Sequence, residues 1–146
     1  GLGDLYKRQI LGATEAEAWA RAERILADAQ QRIGIRQGNR REKNFGKSNA
    51  GSERLVALAN QRKVHDTRLW TEIAALGGGA GNSTSLVGTA DQVAEATLAY
   101  YQLGVTTFLF RGFDQLRDAV EYGQELIPRI RTLVEQQEAG RTARTA

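Results

Sequence analysis

The stretch Gly77–Thr89, GGGAGNSTSLVGT, gathers the residue types that hold anionic oxygen. Its glycines let a backbone approach a ligand closely, and Asn82, Ser83, Thr84 and Ser85 follow with amide and hydroxyl donors. The spacing is not that of a dinucleotide fingerprint, because Gly77, Gly78 and Gly79 are contiguous and no strand precedes them. No Gly-Lys-Ser/Thr follows, which excludes a P-loop. Composition alone leaves two readings open, a flexible connector and a ligand-facing loop.

Arg111 and Phe113 come directly after VTTFLF, the most strand-like run in the chain. Residues just past the carboxyl end of a parallel strand line the ligand face of α/β folds. A surface cap is the alternative for Arg111, and Asp114 reads as a helix N-cap. His65 is the single histidine, and there is no cysteine, so no metal site is expected. It reads as a surface residue beside Lys63 and Asp66. With no nucleophile elbow and no paired acid and base, catalytic residues stay unassigned.

Positive charge is local. Arg32 to Arg54 holds seven basic and two acidic residues, a local +5 that leaves −2 elsewhere in a chain of net charge +3. Only Phe45 is interleaved there to stack on a base, which argues against nucleic acid and for a solvated lid over an anionic small molecule.

Several elements would position these residues. Lys7–Leu11 reads as a strand, and Thr14–Glu17 as a capping box opening a helix through Ala18, Ala22, Ile25, Leu26 and Ala29. Residues 34–51 lack a hydrophobic period and read as a mobile basic lid loop. A helix resumes near Ser52, and a short one is expected around Leu69, Trp70, Ile73 and Ala74. Ser85–Gly88 reads as a strand, and Thr89–Gln92 as a second capping box whose helix ends at Gly104. Val105–Phe110 reads as a strand buried on both faces. The last helix carries Leu116, Ala119, Val120, Gly123, Leu126, Ile127 and Ile130 in register, with a kink at Pro128 and a frayed tail over 136–146.

Strands that alternate with helices predict an α/β fold with a parallel βαβ unit, doubly wound or barrel-like. The 146 residues make one domain. No apolar run nears the ~18 residues of a membrane span, no secretory leader is visible, and the absence of cysteine fits a cytoplasmic protein. Two or three parallel strands cannot close a barrel, and the chain starts with Gly1 and has no methionine. The expectation is the C-terminal portion of a larger fold.

Thr67–Arg131 resembles the C-terminal part of the bacterial-luciferase-like flavin monooxygenases, most of all the alkanesulfonate monooxygenase type. GGAG at Gly78–Gly81, LVGT at Leu86–Thr89 with DQVA, TTFLFRGFD at Thr106–Asp114 and ELIP at Glu125–Pro128 carry the likeness, and ATEAEAWARAERI at Ala13–Ile25 extends it. The resemblance implies a TIM-type (β/α)₈ barrel that uses O₂ and reduced FMN supplied by a separate flavin reductase to oxidise a small organic substrate such as an alkanesulfonate. It also implies a homo-oligomer. The site residues implied are Gly78, Gly79, Gly81, Asn82, Ser83, Thr84, Arg111, Phe113, Tyr6 and Arg8. The sequence departs from the sulfonate-specific pattern in three places. Gly77 stands where an arginine precedes GGAG, Phe113 replaces a tyrosine, and Arg8 and Tyr6 replace a histidine and an arginine. With the first half of the barrel outside the chain, these 146 residues are expected to be inactive alone. The alternative is a non-catalytic binding or assembly module with an anion-binding basic loop.

Overall fold

The computed structural model describes residues 4–38, 50–76 and 84–145. Strand β1 (Asp4–Leu11) leads into α1 (Glu15–Gly38) through the expected capping box, with Glu17 N–H donating to Thr14 Oγ1 and Thr14 N–H to the Glu17 carboxylate. Helix α1 runs on past Gly34, because extending an established helix adds one hydrogen bond for each residue fixed. Helix α2 (Ala50–Gln61) follows, so the described ends of the segment expected to be a loop over 34–51 are helical, and residues 39–49 lie outside the described ones.

Leu69 and Trp70 are not in the short helix that the sequence suggested. They form β3 (Leu69–Trp70), which pairs antiparallel with β2 (Val64–His65) across a turn at Asp66, a residue with φ of 50°. Aspartate tolerates that left-handed geometry better than most residues. Ile73 and Ala74 begin the buried face of α3 (Glu72–Leu76). His65 is also corrected: it is 8% exposed, and its Nε2 lies 2.8 Å from the Leu58 carbonyl oxygen. A carbonyl can only accept, so that nitrogen carries the proton.

Next come β4 (Ser85–Gly88), α4 (Ala90–Gln102), β5 (Thr107–Arg111) and α5 (Gln115–Glu121). Thr89 and Gln92 form the second capping box, Asp114 caps α5, and Gly104 takes a positive φ just past α4. A π-helical turn, Tyr122–Leu126, then precedes α6 (Ile127–Thr145). Pro128 lacks an N–H and its ring crowds the carbonyl four residues back, so a widened turn directly upstream relieves the clash. Helix α6 continues through the polar tail, where Tyr101 donates to Glu138 and Gln102 to Gln137.

The described strands form one sheet in the order β2-β3-β4-β1-β5, with β1 parallel to both β4 and β5. The chain steps from β1 to β4 and then recrosses β1 to reach β5. Right-handed crossovers in opposite directions put their helices on opposite faces, and two separate cores confirm this. Ile10 and Val87 pack with Ala18 and Ala22 of α1, whereas Leu11 and Leu86 pack with Val93 and Ala94 of α4 and with Tyr122 and Leu126. Of the two layouts the strand–helix alternation allowed, the described residues adopt the doubly wound one. Successive barrel strands would lie in chain order, with every helix on one side.

Strand β5 differs from its expectation. It is an edge among the described strands and alternates in exposure, with Leu109 56% exposed, because α1 covers β1 and β4 but does not extend over it. The last helices bury Leu126 as expected, but Asp118 and Tyr122 turn inward where Leu116 and Val120, expected there, face solvent.

Candidate functional site

Register fixes one transverse row of side chains. Val64 pairs with Trp70, Trp70 with Ser85, Ser85 with Arg8, and Arg8 with Arg111. Paired residues project to the same face, so Val64, Trp70, Ser85, Arg8 and Arg111 form one line across all five described strands. This is the face on which Ile10 and Val87 meet α1. Toward β5 the helix cover ends, and the line becomes cationic and partly open.

Arg8 is the centre of that opening. Its Nη1 donates to the Gly112 carbonyl at 2.7 Å, and its guanidinium lies 4.7 Å from the centre of the Phe113 ring. Such a cation–π contact holds Arg8 flat without satisfying its in-plane donors. Arg111 Nη1 donates to the Tyr6 hydroxyl at 3.3 Å. On the opposite face Lys7 donates to Thr84 Oγ1 at 3.1 Å, while Arg8 N–H binds the Thr84 carbonyl at 3.2 Å. Burial pushes the Lys7 ammonium below its ordinary range, opposed by the Asp66 carboxylate.

Thus Tyr6, Arg8, Arg111 and Phe113, read from sequence as site residues, converge on one face around β1 and the end of β5, whereas Thr84 meets Lys7 on the opposite face. Gly78, Gly79, Gly81, Asn82 and Ser83 lie outside the described residues. Sequence reasoning named Ser85 only among the hydroxyls of the glycine stretch and placed neither it nor Trp70 in this row. The signal was present in the parallel strand pattern, but β4's neighbour cannot be read without knowing the strand order.

A buried carboxylate holds the turn that carries Phe113. Asp118 is 2% exposed, accepts from the N–H groups of Phe113 and Asp114 at 2.8 and 3.0 Å, and pairs with Arg21. Gly112 makes this close approach feasible, since a Cβ there would stand 2.1 Å from Asp118 Oδ2. Tyr122 reinforces the same end of the sheet by donating to the Gln9 carbonyl. Burial pushes its phenol well above the ordinary range.

Two buried polar atoms on this face, Arg8 Nε and Ser85 Oγ, have no hydrogen-bond partner among the described residues. An acceptor-rich ligand with a flat aromatic body, as a flavin is, fits the exposed part of this face, where the Arg111 guanidinium and Tyr6 hydroxyl stand beside Phe113 and Leu109. When bound, a reduced flavin supplies the electrons that activate oxygen. Among the described residues no cluster can hold a metal ion, and no helix is long and apolar enough to cross a membrane.

A second hollow of about 300 Å³ lies past the ends of β1 and β4, lined by Gly12, Thr89, Asp91, Glu121, Glu125 and Arg129. Each of its carboxylates has a cationic partner, Arg129 with Asp91 and Glu125 at 2.7 Å and Arg21 with Glu121 at 3.1 Å, and the lining keeps an excess of negative charge.

Residues 7–107, well over half of the chain, match the model of the luciferase-like monooxygenase family. The chain belongs to that family, whose members in general use reduced flavin and molecular oxygen on small substrates. The matched span includes Arg8, Trp70, Thr84 and Ser85 and ends at the first residue of β5.

Proposed function

We propose that this chain forms the flavin- and substrate-facing part of an FMN-dependent monooxygenase of the alkanesulfonate monooxygenase type. It takes reduced FMN from a separate flavin reductase and uses O₂ to oxidise a small organic substrate. The observation that carries this reading is the convergence of Tyr6, Arg8, Arg111 and Phe113 on one open sheet face in a chain of the luciferase-like family. Arg8 and Arg111 attract and orient anionic groups, and Phe113 and Leu109 offer a dry surface for the ring.

The reading rests on this face and on the family, not on a barrel, since a barrel would require β4 and β5 to be neighbours. One observation favours the alternative of a non-catalytic module. The described helices build a core on each side of the sheet, which suits independent folding.

The test is a coupled assay on the gene product purified from its source cells, with a flavin reductase, FMN and short- to medium-chain alkanesulfonates. Substrate-dependent oxygen uptake matched by sulfite release is expected. Oxygen uptake unchanged by every sulfonate would refute the alkanesulfonate assignment, and failure of every organic substrate would refute the monooxygenase reading.

A further inference from the structure

We infer that the outer edge of β5 is the docking surface for a second copy of this chain, paired antiparallel about a two-fold axis through Leu109. The association goes beyond the proposed chemistry and does not depend on flavin binding.

The outward N–H and C=O groups of a free strand edge lack partners, and folded proteins blunt such edges with short length, lysine, proline or a bulge. The two edges of the described sheet differ in this respect. Strand β2 is two residues long, too short to template a partner. Strand β5 runs five residues, TFLFR, with no proline, no lysine and an unbroken register against β1. Its one charge, Arg111, turns inward to the Tyr6 hydroxyl at 3.3 Å instead of shielding the edge. At its centre Leu109 is 56% exposed.

The strand is also complementary to itself. A two-fold axis through Leu109 pairs all five residues: Leu109 with its own copy, Phe108 with Phe110 of the second copy, and Thr107 with Arg111 of the second copy. Within one chain the Phe108 and Phe110 rings already lie 6.2 Å apart. The pairing would gather four such rings on one face, and cross-strand aromatic pairs stabilise sheets. The same register sets the two Arg111 residues at opposite ends, about 13 Å apart along the strands at ~3.3 Å per residue, so like charges do not meet. The axis runs normal to the sheet. Both open faces therefore lie on one side, with Thr107 of the second copy beside Arg111. Because this pairing uses the long edge and β2 is too short to recruit another chain, assembly closes at a dimer instead of a fibre. A five-residue edge covers less than the roughly 800 Å² per partner of a standard interface, so the dimer forms with rising concentration.

Sedimentation equilibrium of the purified chain tests this. The expected mass climbs from 16.0 kDa toward twice that value as concentration rises. Leu109→Lys sets two ammonium groups opposite each other and should weaken dimerisation at least roughly tenfold, with an unchanged thermal melt. The chain has no cysteine, so Leu109→Cys and Leu58→Cys each carry a single thiol. Leu58 lies on α2 and is 37% exposed. Mild oxidation should link Leu109→Cys into covalent dimers under conditions that leave Leu58→Cys monomeric, a comparison that stays informative if Leu109→Lys unfolds. A mass of 16.0 kDa at every concentration, undiminished dimerisation of folded Leu109→Lys, or equal linking at Leu58 overturns the inference. So does a gene product from source cells that is monomeric and whose own additional strands protect the β5 amides from hydrogen exchange.

Discussion

Asp118→Ala should lower stability by about 3–5 kcal/mol, the usual cost of removing one member of a buried ion pair. The carboxylate accepts from Phe113 N–H, Asp114 N–H and Arg21, and each loss has a distinct consequence. The two backbone donors sit in a tight turn. Among the described residues Arg21 keeps Glu121 as its one charged partner, at 3.1 Å, with its side chain 15% exposed. Asp118→Asn retains an acceptor for the turn but loses the charge, so roughly 2–3 kcal/mol is expected, the range for a hydrogen bond to an ionised group. Against a typical total of about 5–15 kcal/mol, the alanine variant would be near the edge of folding at room temperature. Urea denaturation followed by tryptophan emission measures both. A cost below about 1 kcal/mol for Asp118→Ala would refute the idea that this buried pair anchors the β5–α5 turn and, through Phe113, the pose of Arg8.

Gly112→Ala should destabilise by at least about 2 kcal/mol, because the new methyl would meet Asp118 Oδ2 at 2.1 Å; thermal melts read this, and an unchanged melting temperature contradicts the packing described. Gln9 is 1% exposed, and both its side-chain amide atoms are unbonded among the described residues, so Gln9→Leu should stabilise by about 1 kcal/mol in urea titration. Tyr122 has a phenol pKa raised above its ordinary 10.0 by burial, so the folded state holds the proton more tightly than the unfolded chain. Its contribution is complete below about pH 10 and is lost as pH rises toward the folded value. Urea midpoints between about pH 8 and 11 should therefore fall less in Tyr122→Phe than in the parent chain.

Local signals in the sequence were strong where chemistry is local. Both capping boxes, the Asp114 cap and the Gly104 helix stop depend on residues within a few positions, and the structure shows each of them. Strand β4 was readable from its short apolar run. The hairpin Val64–Trp70 was not, since its two-residue strands give no period and its turn rests on an aspartate rather than a glycine. The exposure of β5 was equally hidden. VTTFLF is apolar throughout, and whether both faces are covered depends on where β5 falls in the sheet. Strand order is long-range information, and so is the row that joins Trp70, Ser85, Arg8 and Arg111. Four of the ten site residues implied by the family resemblance meet on one face around β1, and Ser85, read in the sequence among the hydroxyls of the glycine stretch, was placed beside Arg8 only by the register.

The central claim is that the open face around Arg8 receives a flavin. It is tested most directly by anaerobic titration of the chain with reduced FMN, followed through tryptophan emission, in parallel with Arg8→Gln. The account expects saturable quenching, with affinity reduced roughly 10- to 100-fold by loss of the guanidinium, the equivalent of a charge-assisted hydrogen bond. Quenching that never saturates, or equal affinity in the folded Arg8→Gln variant, would contradict it.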